Sequence, residues 1–91
     1  MKQRTPSQEI RHRLANNLKN LRKVRGYSQK DVARRTGLNK GYVSKVEHER
    51  MNVSLANLEA LAKGLGCTEE DLVRRPPAAG VLVAIGRRTS V

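Results

Sequence analysis

The chain has 91 residues and a formal net charge of +11, with 37% hydrophobic residues and only two aromatic side chains, both Tyr. This length suffices for one compact domain with a modest aliphatic core. A single Cys67 excludes an intramolecular disulfide, and no apolar run approaches the roughly 20 residues that a membrane span requires. We therefore expect a small cytoplasmic protein that is neither exported nor inserted into a membrane.

The positive charge is concentrated in the first half of the chain. Residues 1–26 hold eight Lys or Arg against one Glu, whereas residues 51–75 hold three basic and four acidic residues. A basic half of this kind favours a polyanionic partner. The asymmetry alone does not separate DNA from RNA, an anionic lipid surface or a merely solubilising face.

The first predicted helix begins near residue 5. Thr5 is a suitable N-cap, Pro6 suits the first helical position and Gln8 completes a capping box. The helix is expected to run to Arg25 and to end at Gly26. Its inward stripe consists of Ile10, Leu14, Leu18 and Leu21. Residues 1–5 precede it as a basic arm, which either reaches phosphates or a minor groove or has no role.

Residues 28–47 have the pattern of two short helices joined by a tight glycine turn. Ser28 and Asp31 form a capping signature for a helix that starts at Gln29. Ala33 is small enough to lie where the two helices cross. Gly37 then tolerates the left-handed conformation that the chain needs to leave the helix.

The second helix of this pair is predicted to begin after Asn39, which is a good N-cap. Val43 and Val46 place a narrow apolar stripe on its inner face. Its other faces are polar and carry Lys40, Gly41, Ser44 and Lys45. This is the layout of a helix-turn-helix whose second helix reads DNA.

Two further helices follow. Ser54 precedes a fourth helix with a dense apolar face made of Leu55, Leu58, Leu61, Ala62 and Leu65. Gly66 is expected to close it, and Thr68 with Asp71 repeats the capping signature for a short fifth helix that carries Leu72 and Val73. Pro76 and Pro77 then prevent the helix from continuing.

Five positions carry a resemblance to the phage repressor and Cro family, also called the XRE family: Gln29, Ala33, Gly37, Val43 and Glu47. The flanking segments extend the similarity over roughly residues 10–73. The resemblance implies an all-α, five-helix, lambda-repressor-like DNA-binding domain over residues 6–75. Residues 1–5 would be its basic arm and residues 76–91 a short extended or strand-like tail.

Base-reading residues are expected at the start of the recognition helix, because that turn faces the base edges in the major groove. These residues are Asn39, Lys40, Gly41, Ser44 and Lys45. Lys40 and Lys45 can donate to guanine O6 or N7, whereas Asn39 either caps the helix or approaches a phosphate. Gly41 has no side chain, so either the backbone approaches the DNA closely or less sequence is read directly.

Phosphate contacts are predicted from helix starts and from exposed charges. The candidates are Lys19, Gln29, Lys30, Arg34, Tyr42 and Arg50. The resemblance supports Gln29, since the matching residue commonly contacts the sugar-phosphate backbone. The ring of Tyr42 is expected to pack beneath the helix while its hydroxyl meets a phosphate. Any one of the charged candidates is equally explained as a solvated surface residue.

The resemblance also pairs Arg22 of the first helix with Glu47 at the end of the recognition helix. We predict a partly buried ion pair whose role is to orient that helix. The alternative is that both side chains are exposed and unpaired.

Catalytic chemistry has little support in the sequence. His12 and His48 lie on predicted helices without Cys, Asp or Glu at metal-ligand spacing. Cys67 is better explained as a small apolar residue that fills the gap between the last two helices than as a reactive thiol. We expect no enzyme activity, no metal and no cofactor.

The tail holds a β-prone apolar run at residues 80–86. It is predicted either to pair with the same segment of a second subunit or to be disordered or packed on its own domain. The alternative for dimerisation, which does not need the tail, is contact through the fourth and fifth helices. The complete interpretation is a sequence-specific, dimeric transcriptional regulator, by default a repressor, that binds double-stranded DNA at a palindrome. A restriction-modification controller, a phage repressor and an antitoxin all fit. The alternative is a protein-binding adaptor that uses the tail as its interface and binds nucleic acid only non-specifically.

Overall fold

The computed structural model describes residues 5–75, and over this range the fold is all-α. The five helices are α1 (Pro6–Val24), α2 (Gln29–Thr36), α3 (Lys40–Glu47), α4 (Leu55–Leu65) and α5 (Glu69–Val73). The five-helix prediction is confirmed. The expectations for residues 1–4 and for the tail at residues 76–91 lie outside the described residues. Among residues 5–75, no helix is both long enough and apolar enough to cross a membrane.

The predicted caps determine where the helices begin. Thr5, Ser28 and Thr68 each accept a hydrogen bond from the backbone N–H three residues on, and the side chain of that residue accepts the cap residue's own N–H. These capping boxes satisfy N–H groups that have no partner within the helix. Helix α1 ends at Val24, one residue before the prediction.

The core lies where the helices meet. Helix α1 packs against α3 and α5, while α2 packs against α3 and α4. The fully buried large side chains of the core are Leu18, Val32, Val43, Val46, Leu61, Leu65 and Leu72. Because these residues come from every helix, removing any one helix would expose apolar surface on the others.

Two residues of the predicted apolar stripes are not in the core. Ile10 is 37% exposed and Leu55 is 84% exposed. Both lie near the starts of their helices, before the turns that meet the rest of the domain, so the prediction that they pack inward is wrong. Cys67 is half-buried against the core, and burial, with the nearby Asp71 carboxylate, raises the pKa of its thiol. This environment disfavours the reactive thiolate.

A close approach of α2 and α4 was not predicted. A Cβ added to Gly64 would lie 2.4 Å from Thr36 Cγ2 and 3.0 Å from the carbonyl oxygen of Arg35. Arg35 Nε also donates to the Gly64 carbonyl oxygen at 2.7 Å, and its guanidinium stacks 4.6 Å from the centre of the Tyr27 ring. Gly64 therefore allows the two backbones to meet.

Candidate DNA-binding surface

Helix α3 has an inner face that packs against the domain and an outer face at the surface. Val43 and Val46 are 0% and 2% exposed and form the inner face. The predicted outer residues Lys40, Gly41 and Lys45 are exposed. The helix therefore buries the stripe that fixes its orientation and leaves its basic side chains at the surface.

Asn39 acts as the N-cap of α3. Its side-chain oxygen accepts a hydrogen bond from the Tyr42 backbone N–H at 2.7 Å. Of its two sequence-based roles, capping is the one seen in the structure. Ser44 is half-buried, and its carbonyl oxygen lies 2.7 Å from His48 Nδ1 at the end of the helix.

Arg22 and Glu47 form a bidentate ion pair between α1 and the end of α3. Arg22 Nε donates to Glu47 Oε2 at 2.6 Å, and the Arg22 terminal nitrogen Nη2 donates to Glu47 Oε1 at 3.1 Å. The two side chains are 15% and 2% exposed. Arg22 Nη1 also donates to the Tyr27 carbonyl oxygen at 3.0 Å. The paired charges satisfy each other where water has little access, and they fix the end of α3.

Gln29 belongs to the same network. Its side-chain nitrogen donates to Glu47 Oε1 at 3.2 Å, so the carboxylate holds α1, α2 and α3 together. Gln29 is half-buried at the first position of α2. The structure thus gives this residue a structural contact that the resemblance did not imply.

Tyr42 links the recognition helix to α4. Its ring packs against the core, and its hydroxyl oxygen accepts a hydrogen bond from the Asn57 side-chain nitrogen at 3.0 Å. A tyrosine hydroxyl that accepts one bond still has its own proton to donate. The arrangement therefore leaves a donor for a phosphate oxygen while the ring is held.

The remaining candidates for phosphate contact lie on different elements. Lys30 and Arg34 are exposed on α2, Lys19 is half-buried on α1 and Arg50 is exposed after α3. Arg34 donates to Asp31 Oδ1 at 2.6 Å, which offsets part of its charge locally.

The sequence-based interpretation missed a contact that holds the turn after α3. His12 Nδ1 lies 2.9 Å from Glu49 Oε2, and the Asn16 side-chain nitrogen lies 3.1 Å from His12 Nε2. Glu49 has a left-handed backbone with φ of 62°, a conformation that usually favours glycine. No glycine marked this helix end, and the partners are distant in sequence, so neither motif nor spacing revealed the contact.

No group of three or more His, Cys, Asp or Glu side chains able to hold a metal ion is present in the described part of the chain. His12 and His48 are accounted for by the contacts given above, which are to protein groups.

Comparison with known proteins identifies the domain. A family model for helix-turn-helix proteins (HTH_3) matches residues 18–72. A hypothetical transcription factor of Neisseria meningitidis is 41% identical over 69 residues, which cover 76% of this chain and 65% of the relative. The matched region is thus less than two thirds of that relative's length. Control protein C.MunI of Mycoplasma is 42% identical over 65 residues, covering 70% of this chain and 88% of the relative.

Two solved structures of related proteins share the fold of this chain. The crystal structure of the Neisseria transcription factor NHTF superimposes with a TM-score of 0.73 at 35% identity, covering 91% of this chain and 94% of that one. The restriction-modification controller protein C.AhdI of Aeromonas hydrophila gives a TM-score of 0.66 at 35% identity, covering 68% and 94%. The family is one of non-enzymatic transcription factors. The chain belongs to the HTH_3, or XRE, family of helix-turn-helix DNA-binding transcriptional regulators and is related to restriction-modification controller proteins.

Proposed function

We propose that this chain is a sequence-specific transcriptional regulator that binds a palindromic operator as a homodimer. The observation that carries the proposal is the two-sided character of α3. Its apolar face is buried and its end is held by the Arg22–Glu47 pair, while its first turn and its basic side chains face outward. A rigid helix with an exposed polar face suits insertion into a major groove.

Sequence is read from this outer face by Lys40, Gly41, Ser44 and Lys45. The lysines donate to guanine O6 or N7, and the Ser44 hydroxyl donates or accepts at a base edge. Asn39 contributes chiefly by capping the helix that presents them, because its side-chain oxygen is engaged there.

Phosphate contacts fix the register of α3 on the duplex without reading sequence. The residues assigned to this role are Lys19, Gln29, Lys30, Arg34, Tyr42 and Arg50. Tyr42 donates its hydroxyl proton to a phosphate oxygen, and the Asn57 contact holds that hydroxyl in place.

The dimer forms through an apolar surface on the α1, α4 and α5 side of the domain. A cavity of about 340 Å³ opens there and is lined mainly by Ile10, Leu14, Val53, Leu55, Leu58 and Val73. Leu55 protrudes at its rim with 84% exposure. Under a twofold axis, one surface with both a projection and a cavity is self-complementary, so Leu55 of each copy can enter the cavity of the other.

Charge favours a second copy as the occupant. Residues 51–75, which supply most of this surface, are close to charge balance, with three basic and four acidic residues. Within residues 5–75, the one charged side chain that lines the cavity is Arg11, whose Nη1 donates to Asn52 Oδ1 at 3.0 Å. Two copies can therefore meet there without the repulsion that their basic first halves would impose. The twofold places two copies of α3 in successive major grooves, roughly 34 Å apart. An occupied operator then blocks polymerase, which makes repression the default outcome.

Fluorescence-anisotropy titration tests the DNA-reading proposal. The probes are DNA from upstream of the protein's own gene and a scrambled duplex, near physiological salt. We expect a preference of roughly 10³-fold for a true site. Lys45→Ala should relax preference at one base pair, whereas Lys63→Ala, which removes an equal charge from an exposed position of α4, should leave preference unchanged. Equal weakening on all sequences would contradict base reading by Lys45.

Sedimentation velocity tests the dimer surface. Leu55→Glu should shift the protein to monomer, because each copy would bring a carboxylate to an apolar cavity. Val24→Glu is the matched control, since Val24 is 81% exposed and does not line this cavity. If both variants sediment as the wild type does, the proposed interface is wrong.

A further inference from the structure

Among residues 5–75, four of the five glycines are required by the fold, and Gly41 is the exception. Gly26, Gly37 and Gly66 have φ between 70° and 78°, a region that favours glycine. Gly64 has no room for a side chain. Each of these four positions therefore has a reason within the fold for being glycine.

Gly41 has no such reason. It is not among the residues with positive φ, and it is exposed. A Cβ added there would meet only Asn39 Oδ1, at 3.4 Å. Alanine would therefore fit the folded protein, and glycine is among the least favourable residues within a helix. Helix α3 has only eight residues, so it has few other positions to offset this choice.

The position of Gly41 indicates what the missing side chain allows. Gly41 is the second residue of α3, and Ser44 and Lys45 follow it by three and four residues. Residues at these spacings share one face of a helix. The gap at Gly41 therefore lies on the face that carries two of the proposed base-reading side chains.

We propose that Gly41 is a specificity-determining residue, whose lack of a side chain lets the first turn of α3 approach the major-groove edge of a base pair. A Cβ at this point would hold the backbone away from that edge and weaken the neighbouring contacts. The inference rests on the proposed DNA-reading function. It predicts that glycine lowers the stability of the folded protein and raises its affinity for the specific site.

The test compares wild type with Gly41→Ala in thermal melting and DNA binding. The DNA probe is a duplex selected from a random 20-bp library by the wild-type protein, and an unselected duplex measures non-specific binding. We expect Gly41→Ala to melt roughly 2–6 °C higher. It should bind the selected duplex about tenfold or more weakly, and the unselected duplex equally well.

Ala56→Gly is the matched control for stability. Ala56 is exposed and is likewise the second residue of its helix, so this change should lower the melting temperature by a similar amount. A library selection repeated with Gly41→Ala should enrich a different sequence at the base pair that faces residue 41.

The outcomes separate this inference from the proposed function. If Gly41→Ala melts higher but binds the selected duplex as the wild type does, Gly41 does not determine specificity. A lower melting temperature would show that the fold needs glycine there, which also overturns the inference. If the wild type enriches no sequence from the library, the proposed function itself fails.

Discussion

The two ends of α3 differ in how they are attached to the domain. At the C-terminal end, Glu47 is bound by Arg22 and Gln29, and the turn that follows is held by His12 through Glu49. At the N-terminal end, Lys40 and Gly41 are exposed, and Asn39 caps the first turn. The Glu47 network thus anchors the C-terminal end of the helix. At the other end, Tyr42 is tied to Asn57 of α4, while Lys40 and Gly41 are presented to solvent.

This difference reflects two physical requirements. Orientation of a recognition helix needs buried, mutually satisfied groups, because these hold a geometry against thermal motion. Contact with DNA needs exposed donors and a backbone that can be approached. One short helix meets both requirements by separating them along its length.

The largest effect should come from breaking the anchored end. Arg22→Met leaves the Glu47 carboxylate buried without its main partner, so the free energy of unfolding should fall by about 3–5 kcal/mol. Urea unfolding measures the change. The double variant Arg22→Met/Glu47→Leu should recover most of the loss, since it removes both charges.

Arg34→Ala is the control for that experiment. It breaks an ion pair with Asp31 in which the arginine side chain is 70% exposed, and exposed pairs contribute little. If Arg22→Met is no more destabilising than Arg34→Ala, the anchoring role assigned to the buried pair is wrong.

A smaller effect is expected at the presented end. Asn39→Ala removes the cap of the Tyr42 N–H and should cost about 1 kcal/mol in the free energy of unfolding. Asn39→Ser, which can also cap, should retain most of the stability. Urea unfolding of both variants provides the measurement, and equal losses would contradict the capping role.

Glu49 offers a finer test of the anchor. Glu49→Ala removes the His12 contact but keeps the strained left-handed backbone, whereas Glu49→Gly removes the contact and relieves the strain. The glycine variant should therefore be more stable than the alanine variant by roughly 1 kcal/mol. Chemical denaturation distinguishes them, and an alanine variant as stable as the glycine variant would rule out backbone strain at this position.

The smallest effect is a pH dependence of the helix caps. The Ser28 backbone N–H, and then Arg34, lower the pKa of Asp31, and the Thr68 backbone N–H lowers the pKa of Asp71. A carboxyl whose folded pKa is depressed stabilises the protein above its unfolded pKa of about 3.9, and this stabilisation is lost as pH falls through the lower folded value. The melting temperature should drop below pH 4, and Asp31→Asn should reduce the size of that drop.

Local signals were enough to predict most of the fold. Thr5, Ser28 and Thr68 each marked a helix start, and Gly37 and Gly66 each marked a helix end, because caps and left-handed exits depend on neighbouring residues only. The predictions that Ile10 and Leu55 pack inward failed because they rested on local periodicity alone. Periodicity shows which residues share a face but not how far along the helix a packing partner extends.

The candidate site was predicted less completely than the fold. The exposed residues of α3 followed from helical periodicity and the cap at Asn39. The Glu47 network did not follow in full, because its three members, Arg22, Gln29 and Glu47, come from separate helices. The hydrogen bond between Asn57 and the Tyr42 hydroxyl depends in the same way on how α4 packs against α3.

The sequence by itself determined the helices, their caps, the uneven charge and the family to which the chain belongs. These depend on side chains within one or two turns of each other, or on a pattern shared with related proteins. Only the tertiary structure decided that Glu47 joins three helices, that Glu49 is held by His12, and that Leu55 borders an open apolar cavity. Such contacts depend on the relative positions of whole helices, which are fixed when the core packs.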